Sequence, residues 1–286
     1  MKGRAWTGAV AILAGLWLGH GFDGVAAAGP SALQSSESGQ AQASPIGEVL
    51  ALRELTLADD SGAADLERFF TKELEPKWQK NVPDIQALLM KGDRGARTGK
   101  HLSVWKFPTV ESRDLYFPSA GEDAYPVFEK AIEPMSATLD KYNSYFRADS
   151  SGQDYTDYVL IGADELKGLP DIRLLGLHTI KVKPGKEKAF ESFVKARWHP
   201  AWAEHVPGCR ALIFKGDRGA NEGGHLLVFT FDPAELRDKY YPEGEVSDEY
   251  TEAAQPLEPL WEELNGYLDV TVGSPGHSFT DYVLVR

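Results

Sequence analysis

Cysteine is almost absent from this sequence, because Cys209 is the one thiol in 286 residues. One thiol cannot form an intramolecular disulfide, and it cannot by itself build a cysteine-rich metal site. Cys209 follows the turn residues Pro207 and Gly208 with no histidine at catalytic spacing, so we expect an inert side chain. The stability of the fold must then come from packing, for which 42% of the residues are hydrophobic.

An excess of positive charge is also absent. Lysine and arginine number 30 against 43 aspartate and glutamate residues, which gives a net charge of −13 spread along the chain. Such a charge argues against nucleic acid and against anionic membrane surfaces as partners.

The sequence has little that suits a bilayer, which requires an apolar run of about 20 residues. An apolar stretch, Ala5–Leu18, follows two basic residues and precedes the small residues Ala26–Ala28. This arrangement is typical of a secretion signal that is cleaved after residue 28, and a retained membrane anchor is the alternative. We therefore expect a signal peptide at 1–28, a flexible linker at 29–46, a secreted or periplasmic location, and no stable membrane insertion after cleavage.

A long internal repeat organises the rest of the chain. The segment Lys91–Ala96 reads KGDRGA and recurs as Lys215–Ala220, 124 residues later. Further matches at the same offset include Phe69 with Phe193, Trp78 with Trp202, His101 with His225, Arg113 with Arg237, and Thr156–Leu160 with Thr280–Leu284. Self-similarity of this extent indicates two copies of one structural unit, which we place at 47–162 and 171–286.

Each copy predicts the same order of elements, β-α-β-β-α-β, which is the ferredoxin-like arrangement. Alternating apolar residues indicate strands, helical spacing indicates helices, and glycine or proline ends most segments. The predicted strands are 50–57, 86–90, 101–107 and 155–161 in the first unit and 174–183, 210–215, 225–231 and 279–285 in the second; the predicted helices are 66–80, 125–139, one from 190 to the stop at 207–208, and 250–264. The fold class is therefore α+β, as two tandem ferredoxin-like units.

A ferredoxin-like unit packs both helices on one face of its sheet and leaves the other face bare. Two such faces in one chain can lie together and close into a barrel. Three features accompany this layout: the turn Lys183-Pro184-Gly185, the phenylalanine-bearing first helix, and the helix end Val206-Pro207-Gly208. In its layout and in these features the sequence resembles the tandem fused members of the dimeric α/β-barrel superfamily. That superfamily includes the antibiotic-biosynthesis-monooxygenase-like domains. The resemblance transfers no functional residues. It implies an intramolecular pseudo-dimeric α/β barrel, and hence a monomer that acts as a pseudo-dimer.

The repeated KGDRG segment suits a hairpin, because its glycines allow positive φ and its aspartate can accept a backbone hydrogen bond. Its arginines, Arg94 and Arg218, are not needed for the turn. They can pair with a carboxylate across the mouth of the barrel, or bind an anionic ligand group in a bidentate manner. The segment does not lead from a strand into a helix, so it is not a nucleotide-binding loop.

Histidine is unevenly distributed, since five of the six histidines after residue 28 lie in the second unit. His178 stands mid-strand on the same side as Ile180, and its counterpart in the first unit, allowing a one-residue insertion, is Arg53. We expect both side chains to point into the barrel, where a polar group requires either a ligand or a buried partner. The uneven distribution hints that the second unit is the specialised one.

The sequence does not favour a metal site. In the ferredoxin-like order His178 and His225 lie roughly 13 Å apart at about 3.3 Å per residue, too far to share one ion. No His-x-x-x-His pair occurs either. We expect no metal and no cofactor.

Two aromatic residues complete the candidate site. Trp202, like its counterpart Trp78, either packs in the core or floors an apolar pocket. Tyr282 alternates with Asp281 on the last strand, so one of the two faces the barrel. The candidate ligand-binding residues are Arg53, Arg94, His101, His178, Trp202, Arg218, His225 and Tyr282.

Three hypotheses about function stay open at this point. The first is an exported module that binds a small apolar or aromatic molecule. The second is an enzyme acting in the same chamber, either a cofactor-independent monooxygenase or an isomerase. The third is a non-catalytic interaction domain with a filled barrel. A pocket of about 300 Å³ or more with polar groups in its wall separates the first two from the third.

Overall fold

The computed structural model describes residues 48–59, 62–118, 125–147, 155–163, 171–242, 245–273 and 277–286. The predicted signal peptide at 1–28 and linker at 29–46 lie outside these ranges. Below, the first half denotes the described residues up to 163 and the second half those from 171 onward.

Eight antiparallel strands close into one barrel in the order β1-β3-β2-β8-β5-β7-β6-β4. The strands are β1 Val49–Leu55, β2 Gln86–Gly95, β3 His101–Phe107, β4 Tyr155–Leu160, β5 Leu174–Ile180, β6 Cys209–Gly219, β7 His225–Phe231 and β8 Phe279–Leu284. Each half contributes four neighbouring strands, and the halves join where β2 pairs with β8 and β4 pairs with β6. The predicted α+β fold of two tandem ferredoxin-like units in a pseudo-dimeric barrel is therefore confirmed, as is the resemblance to the dimeric α/β-barrel architecture.

Three helices in each half cover the outside of the barrel. In the first half α1 runs through Ala63–Phe69, Phe70–Leu74 and Glu75–Asn81, α2 is Val110–Tyr116, and α3 runs through Pro126–Ile132, Glu133–Met135 and Ser136–Asn143. In the second half α4 runs through Glu187–Phe193, Val194–Trp198 and His199–His205, α5 is Leu236–Tyr240, and α6 runs through Asp248–Ala254, Gln255–Leu257 and Glu258–Tyr267.

Both long first helices contain a π-helical turn, at Phe70–Leu74 and at Val194–Trp198. Each turn ends two residues before a proline, Pro76 or Pro200. Proline has no N–H to donate and its ring clashes with the carbonyl four residues back, and a local shift to wider hydrogen bonding absorbs both defects. The repeat thus preserves a specific irregularity as well as the overall order of elements.

The strands β2 and β6 extend further than the predicted 86–90 and 210–215, because the KGDRG segments continue them. Each extension pairs with a strand of the other half through a register shift, between Gly92 and Arg94 in the first half. The short helices α2 and α5 were not among the predicted elements, since a helix of one to two turns leaves little periodicity to detect. Helix α2 begins with a capping box, in which Thr109 and Ser112 each bind the backbone N–H of the other.

Apolar side chains pack the space between the two sheets, in contrast to the chamber expected there. The interior cluster consists of Leu50, Leu52, Leu88, Met90, Leu102, Val104, Tyr158, Leu160, Ile172, Leu175, Leu212, Phe214, Leu226, Val228 and Tyr282, each no more than 7% exposed. Two further apolar cores lie between the outer face of the barrel and the helices, one in each half. The cleft described below lies in the outer layers, outside this packed interior.

Candidate functional site

The arginines of the two KGDRG segments bind the opposite half of the molecule. Arg218 donates to the Asp114 carboxylate at 2.7 Å and to the carbonyl of Phe117 at 2.6 Å. Arg94 donates to the Asp238 carboxylate at 2.9 Å and to the carbonyl of Tyr241 at 2.8 Å. The geometry is that of the ion-pair interpretation, because carboxylates and carbonyls of the opposite half engage both arginines.

The short helix of each half also carries an arginine, which contacts the aspartate of the KGDRG segment in the other half. Arg113 on α2 lies 2.6 Å from Asp217 and 3.3 Å from Asp157. Arg237 on α5 lies 2.7 Å from Asp93 and 3.5 Å from Asp281. We call these two groups the interhalf clasps: the first contains Arg113, Asp114, Asp157, Asp217 and Arg218, and the second contains Asp93, Arg94, Arg237, Asp238 and Asp281.

His101 and His225 are both buried beneath the first helix of their own half. The Nε2 atom of His101 lies 2.8 Å from the Glu67 carboxylate, which also accepts a hydrogen bond from Lys91 at 2.9 Å. His225 lies 3.6 Å from Glu191, its counterpart. These histidines therefore face the outer layers, away from the barrel interior.

Arg53 and His178 occupy equivalent positions, as the strand register shows. Arg53 pairs with Ser103 and Tyr155, and His178 pairs with the residues 124 positions later, Leu227 and Phe279. The one-residue insertion inferred from the sequence is thus confirmed. The inward direction was wrong, however, because the alternate residues of these strands fill the barrel interior and leave Arg53 and His178 facing the helices.

A cleft opens between the outer face of the first-half sheet and the end of α3. Its volume is about 40 Å³, smaller than the pocket of about 300 Å³ named above as the criterion, and it opens to solvent. Its walls are Ala51, Leu52, Arg53, Leu55, Ser103, Trp105, Tyr142, Asn143, Phe146 and Tyr155. We call this the first-half cleft. Of the residues predicted as ligand-binding, Arg53 lines it.

The polar groups of the first-half cleft converge on its middle. Tyr142 reaches across from α3, forms a hydrogen bond with Ser103 and lies close to the positive charge of Arg53. Burial raises the pKa of the Tyr142 phenol to about 12, so this group carries its proton at neutral pH. The side-chain amide nitrogen of Asn143 is buried and has no hydrogen-bond partner among the described residues.

Aromatic rings form the apolar wall of the same cleft. Trp105 packs on Trp78 with 5.0 Å between ring centroids and on Phe128 with 5.8 Å. Tyr142 meets Phe146 edge-on at 4.9 Å. These contacts fix the positions of the rings in the wall of the cleft.

The equivalent region of the second half has a different chemistry. Equivalent positions of the two halves can be matched by their backbone pairing. The isolated bridge between Leu57 and Phe146 in the first half corresponds to the bridge between Val182 and Leu268 in the second. By this relation Ser103, Trp105, Tyr142, Asn143, Phe146 and Tyr155 correspond to Leu227, Phe229, Leu264, Asn265, Leu268 and Phe279. The hydroxyl groups of the first half are thus replaced by apolar side chains in the second.

Aromatic rings surround His178 in that second-half region. Its ring stacks on His277 at 5.0 Å and on Phe279 at 5.3 Å, and meets Phe229 edge-on at 5.2 Å. Burial lowers the pKa of His178 to about 3, so the ring is neutral at physiological pH. The polar cleft therefore belongs to the first half, although the histidines had pointed to the second.

Trp202 and Tyr282 lie apart from the first-half cleft. Trp202 is buried in the outer core of the second half, packed against Trp198 and Trp261. Tyr282 faces the interior of the barrel. The sequence reasoning missed Ser103, Tyr142 and Asn143, and for the last two the available signal was the helical stretch that continues past residue 139 to Asn143.

Two features bear on the predicted absence of a metal and of membrane insertion. Within the described ranges, no group of three or more histidine, cysteine, aspartate or glutamate side chains is placed to hold a metal ion. None of the helices in these ranges combines the length and apolarity required of a membrane-spanning segment.

Comparisons with known proteins found similarity to solved structures only; no protein-family model and no curated protein matches the sequence. A candidate monooxygenase from Lactobacillus acidophilus NCFM aligns over 83% of this chain and 94% of its own, with 16% identity and a TM-score of 0.42. A candidate monooxygenase from Fusobacterium nucleatum aligns over 83% and 92%, with 11% identity and a TM-score of 0.46. An anthrone oxidase-like protein aligns over 83% and 90%, with 14% identity and a TM-score of 0.39. At such identities and scores we draw nothing about activity from these proteins.

Proposed function

We propose that this protein binds a small molecule with an aromatic body in the first-half cleft. The observation that carries the proposal is the difference between two otherwise equivalent halves. Arg53, Ser103 and Tyr142 place polar groups in the wall of an aromatic cleft, whereas the second half has Leu227 and Leu264 in place of the two hydroxyl-bearing residues.

The physical argument concerns the cost of polar groups in an apolar layer. Placing hydroxyl and guanidinium groups among aromatic rings costs desolvation free energy that leucine avoids, and the hydrogen bond between Tyr142 and Ser103 offsets part of that cost. Ligand pockets have this composition, with apolar walls and a few polar groups that fix the orientation of the bound molecule. The packed barrel interior agrees with the third hypothesis, that of a filled barrel, but the first-half cleft lies outside that interior.

The test is to give the first half the side chains of the second. The double variant Ser103→Leu, Tyr142→Leu should lose binding of naphthalene-bearing probes measured by isothermal titration calorimetry, because the cleft then lacks both hydroxyl groups and is narrower at Ser103. The matched control is Phe279→Leu, an apolar change at the second-half counterpart of Tyr155, which should bind as the wild type does. Binding that persists in the double variant would contradict the proposal.

A second candidate function is catalysis in the same cleft, either an isomerisation or a cofactor-independent oxygenation. It is favoured by Tyr142, a protonated phenol beside Arg53 that can donate a proton to an oxyanion developing on the bound substrate. In such an oxygenation the substrate supplies the electrons: two hydrogens leave it, one oxygen atom of O2 enters it, and the other oxygen atom leaves as water.

The two candidates are separated by turnover in the Tyr142→Phe variant. If the protein is an enzyme, oxygen uptake with anthrone as the trial substrate should fall at least tenfold in this variant, a loss in the range expected for removing a general acid, while probe binding persists. If the wild-type protein binds the probe but consumes no oxygen, oxygenation is contradicted and binding stands as the proposed function. Isomerisation is then tested separately by analysis of the products.

Export of the protein, and its action as a monomer, are further proposals. Export rests on the signal-like sequence of residues 1–28 alone. Sequencing the N-terminus of the protein recovered from its source should place the first residue near position 29, and an intact leader would contradict export by cleavage.

A further inference from the structure

The two halves of the barrel meet at two seams, and one clasp covers each seam. We call the pairing of β4 with β6 the first seam and the pairing of β2 with β8 the second seam. Asp157 lies in the first seam opposite Arg218, and Asp281 lies in the second seam opposite Arg94. A change in the charge of either aspartate therefore acts directly on the joint between the halves.

Each clasp contains more acidic than basic side chains. Two arginines face three aspartates, so one negative charge is left over when every group is ionised. In the first clasp Arg113 uses a single nitrogen, Nη1, for two carboxylates, at 2.6 Å from Asp217 and at 3.3 Å from Asp157. The Oδ1 atom of Asp157 is buried and has no hydrogen-bond partner. Asp157 is thus the carboxyl group at which a proton best removes the excess charge.

The surroundings of Asp157 disfavour its ionised form. Burial raises the pKa of Asp157 to about 7, although Arg113 and Arg218 act in the opposite direction. Burial also raises the pKa of the Tyr155 phenol to about 12, so this neighbour keeps its proton near neutral pH. On its other side in the sheet Asp157 pairs with the uncharged Ala51 of β1. Among the described residues, the charged and titratable groups of this clasp and its strand are Arg113 and Asp114 on α2, Asp217 and Arg218 on β6, and Tyr155 on β4.

We propose that the first clasp is a proton-dependent joint, in which a proton on Asp157 keeps the first seam closed and loss of that proton opens the seam locally. The carboxyl group of Asp157 is 0% exposed in the closed seam, so an ionised form gains water only when β4 and β6 separate. The open form therefore releases the proton at lower pH than the closed form. The preference for the closed form is full below pH 4 and is lost as the pH rises through 7. No step of this joint requires a ligand in the first-half cleft.

The second clasp provides a comparison within the same molecule. Arg237 divides its Nη1 atom in the same way, at 2.7 Å from Asp93 and at 3.5 Å from Asp281. The side chain of Asp281 is 14% exposed, however, so water already reaches its carboxyl group in the closed seam. Burial raises the pKa of Asp281 as well. The second seam should therefore respond to pH in the same direction and by a smaller factor.

The test is hydrogen exchange of single backbone amides in the full chain, measured by NMR between pH 6 and pH 9. Two amides report on each seam, and they occupy equivalent positions in the repeat. In the first seam Ile161 donates to the carbonyl of Ile213 at 3.0 Å and Ala220 donates to that of Tyr155 at 2.9 Å; in the second seam Val285 donates to Leu89 at 2.9 Å and Ala96 donates to Phe279 at 3.0 Å.

Protection factors, which are corrected for the base-catalysed exchange of an open chain, measure how often each seam opens. With a pKa of about 7 in the closed seam and 3.8 in the open one, protection of Ile161 and Ala220 should fall about tenfold across this range. Protection of Val285 and Ala96 should fall by a smaller factor.

Two matched variants identify the titrating group. Asp157→Asn removes the ionisable group at nearly the same side-chain shape and should remove most of the fall at the first seam. Asp281→Asn makes the same change in the second clasp and should leave the fall at the first seam as in the wild type. A measurement on the wild type does not depend on the folding of either variant: the carbon-13 shift of the Asp157 carboxyl group should titrate near pH 7.

A fall in protection that is confined to the first seam and absent from Asp157→Asn supports the joint. Equal falls at all four amides would show a global loss of stability and would overturn the local opening. A fall that persists in Asp157→Asn, or a carboxyl shift that titrates near the ordinary value of 3.8, would overturn the role of Asp157. Protection factors that stay constant between pH 6 and pH 9 would overturn the joint altogether.

Discussion

Replacing Arg113 by methionine should destabilise the protein strongly, and the structure explains how much. Arg113 is 1% exposed, and it contacts three carboxylates, those of Asp114, Asp157 and Asp217. Two of these carboxylates are more than a third exposed and can be solvated once the arginine is gone. Asp157 is fully buried, and one of its oxygens already lacks a hydrogen-bond partner among the described residues.

The loss is therefore dominated by the carboxylate of Asp157 left without its partner. Removing one member of a buried ion pair can cost about 3–5 kcal/mol of unfolding free energy. Because the pKa of Asp157 is already about 7, its carboxyl group can take up a proton, which limits this part of the loss to about 1.4 kcal/mol at pH 8. With the hydrogen bonds to Asp114 and Asp217 also lost, we expect a total of about 2–3 kcal/mol. The matched variant in the second clasp, Arg237→Met, strands Asp281, whose side chain is 14% exposed and keeps some water. We expect a smaller loss there, of about 1–2 kcal/mol. The double variant Arg113→Met, Asp157→Asn should recover most of the first loss, because no buried charge then remains.

The penalty should also depend on pH in a defined direction. Burial raises the pKa of Asp157 from 3.8 to about 7, against the opposing effect of Arg113. Because the folded-state pKa lies above the unfolded value, the folded protein binds this proton more tightly than the unfolded chain. The stability contributed by protonation is full below pH 4 and is lost as the pH rises through 7. Without Arg113 the pKa rises further, so the difference between variant and wild type should be large at pH 8 and small at pH 4.

Urea denaturation followed by circular dichroism at pH 4, 6 and 8 measures these free energies. The slope of the unfolding free energy against urea must remain constant between variants for the comparison to hold. A loss below about 1 kcal/mol in Arg113→Met at pH 8 would mean that the first clasp behaves as a surface ion pair, which refutes the reasoning. A double variant as unstable as the single one would refute the role given to Asp157.

Two further predictions concern His178 and Gly92. Burial lowers the pKa of His178 from 6.5 to about 3, so the unfolded chain binds the proton more tightly and wild-type stability should fall as the pH drops from 6.5 towards 3. In urea denaturation, the His178→Phe variant should lose less stability between pH 7 and pH 4 than the wild type does, and an unchanged pH dependence would contradict this prediction. A Cβ atom on Gly92 would lie 2.0 Å from the carbonyl oxygen of Arg97, so Gly92→Ala should cost about 1–3 kcal/mol of unfolding free energy, and a neutral result would show that the KGDRG hairpin relaxes.

The architecture could be derived from the sequence because the repeat supplied it twice. Two copies of one pattern gave the order of elements, and the bare sheet face of each copy gave the barrel. The repeat also includes the Arg-Asp pairs at 113–114 and 237–238, although the sequence indicated neither that they lie on short helices nor that they form the clasps. A helix of one or two turns is held by tertiary contacts and leaves almost no periodicity.

The position of the site could not be derived in the same way. In this barrel both faces of every strand are covered, one by the opposite sheet and one by helices. Both sets of alternating residues are then apolar, so periodicity cannot show which set points inward. For that reason Arg53 and His178 were assigned to the interior, although they face the helices.

The sequence by itself determined a duplicated α+β unit and its closure into a barrel, because local patterns and their repetition carry that information. It left an ion pair between the halves as one of two alternatives for Arg94 and Arg218. The tertiary structure alone decided that the space between the sheets is packed and that the polar cleft lies in the first half. That decision depends on where the end of α3 lands on the sheet, which brings Tyr142 and Asn143 over Arg53 and Ser103. Residues so distant in the chain meet only through packing, and no local pattern records their meeting.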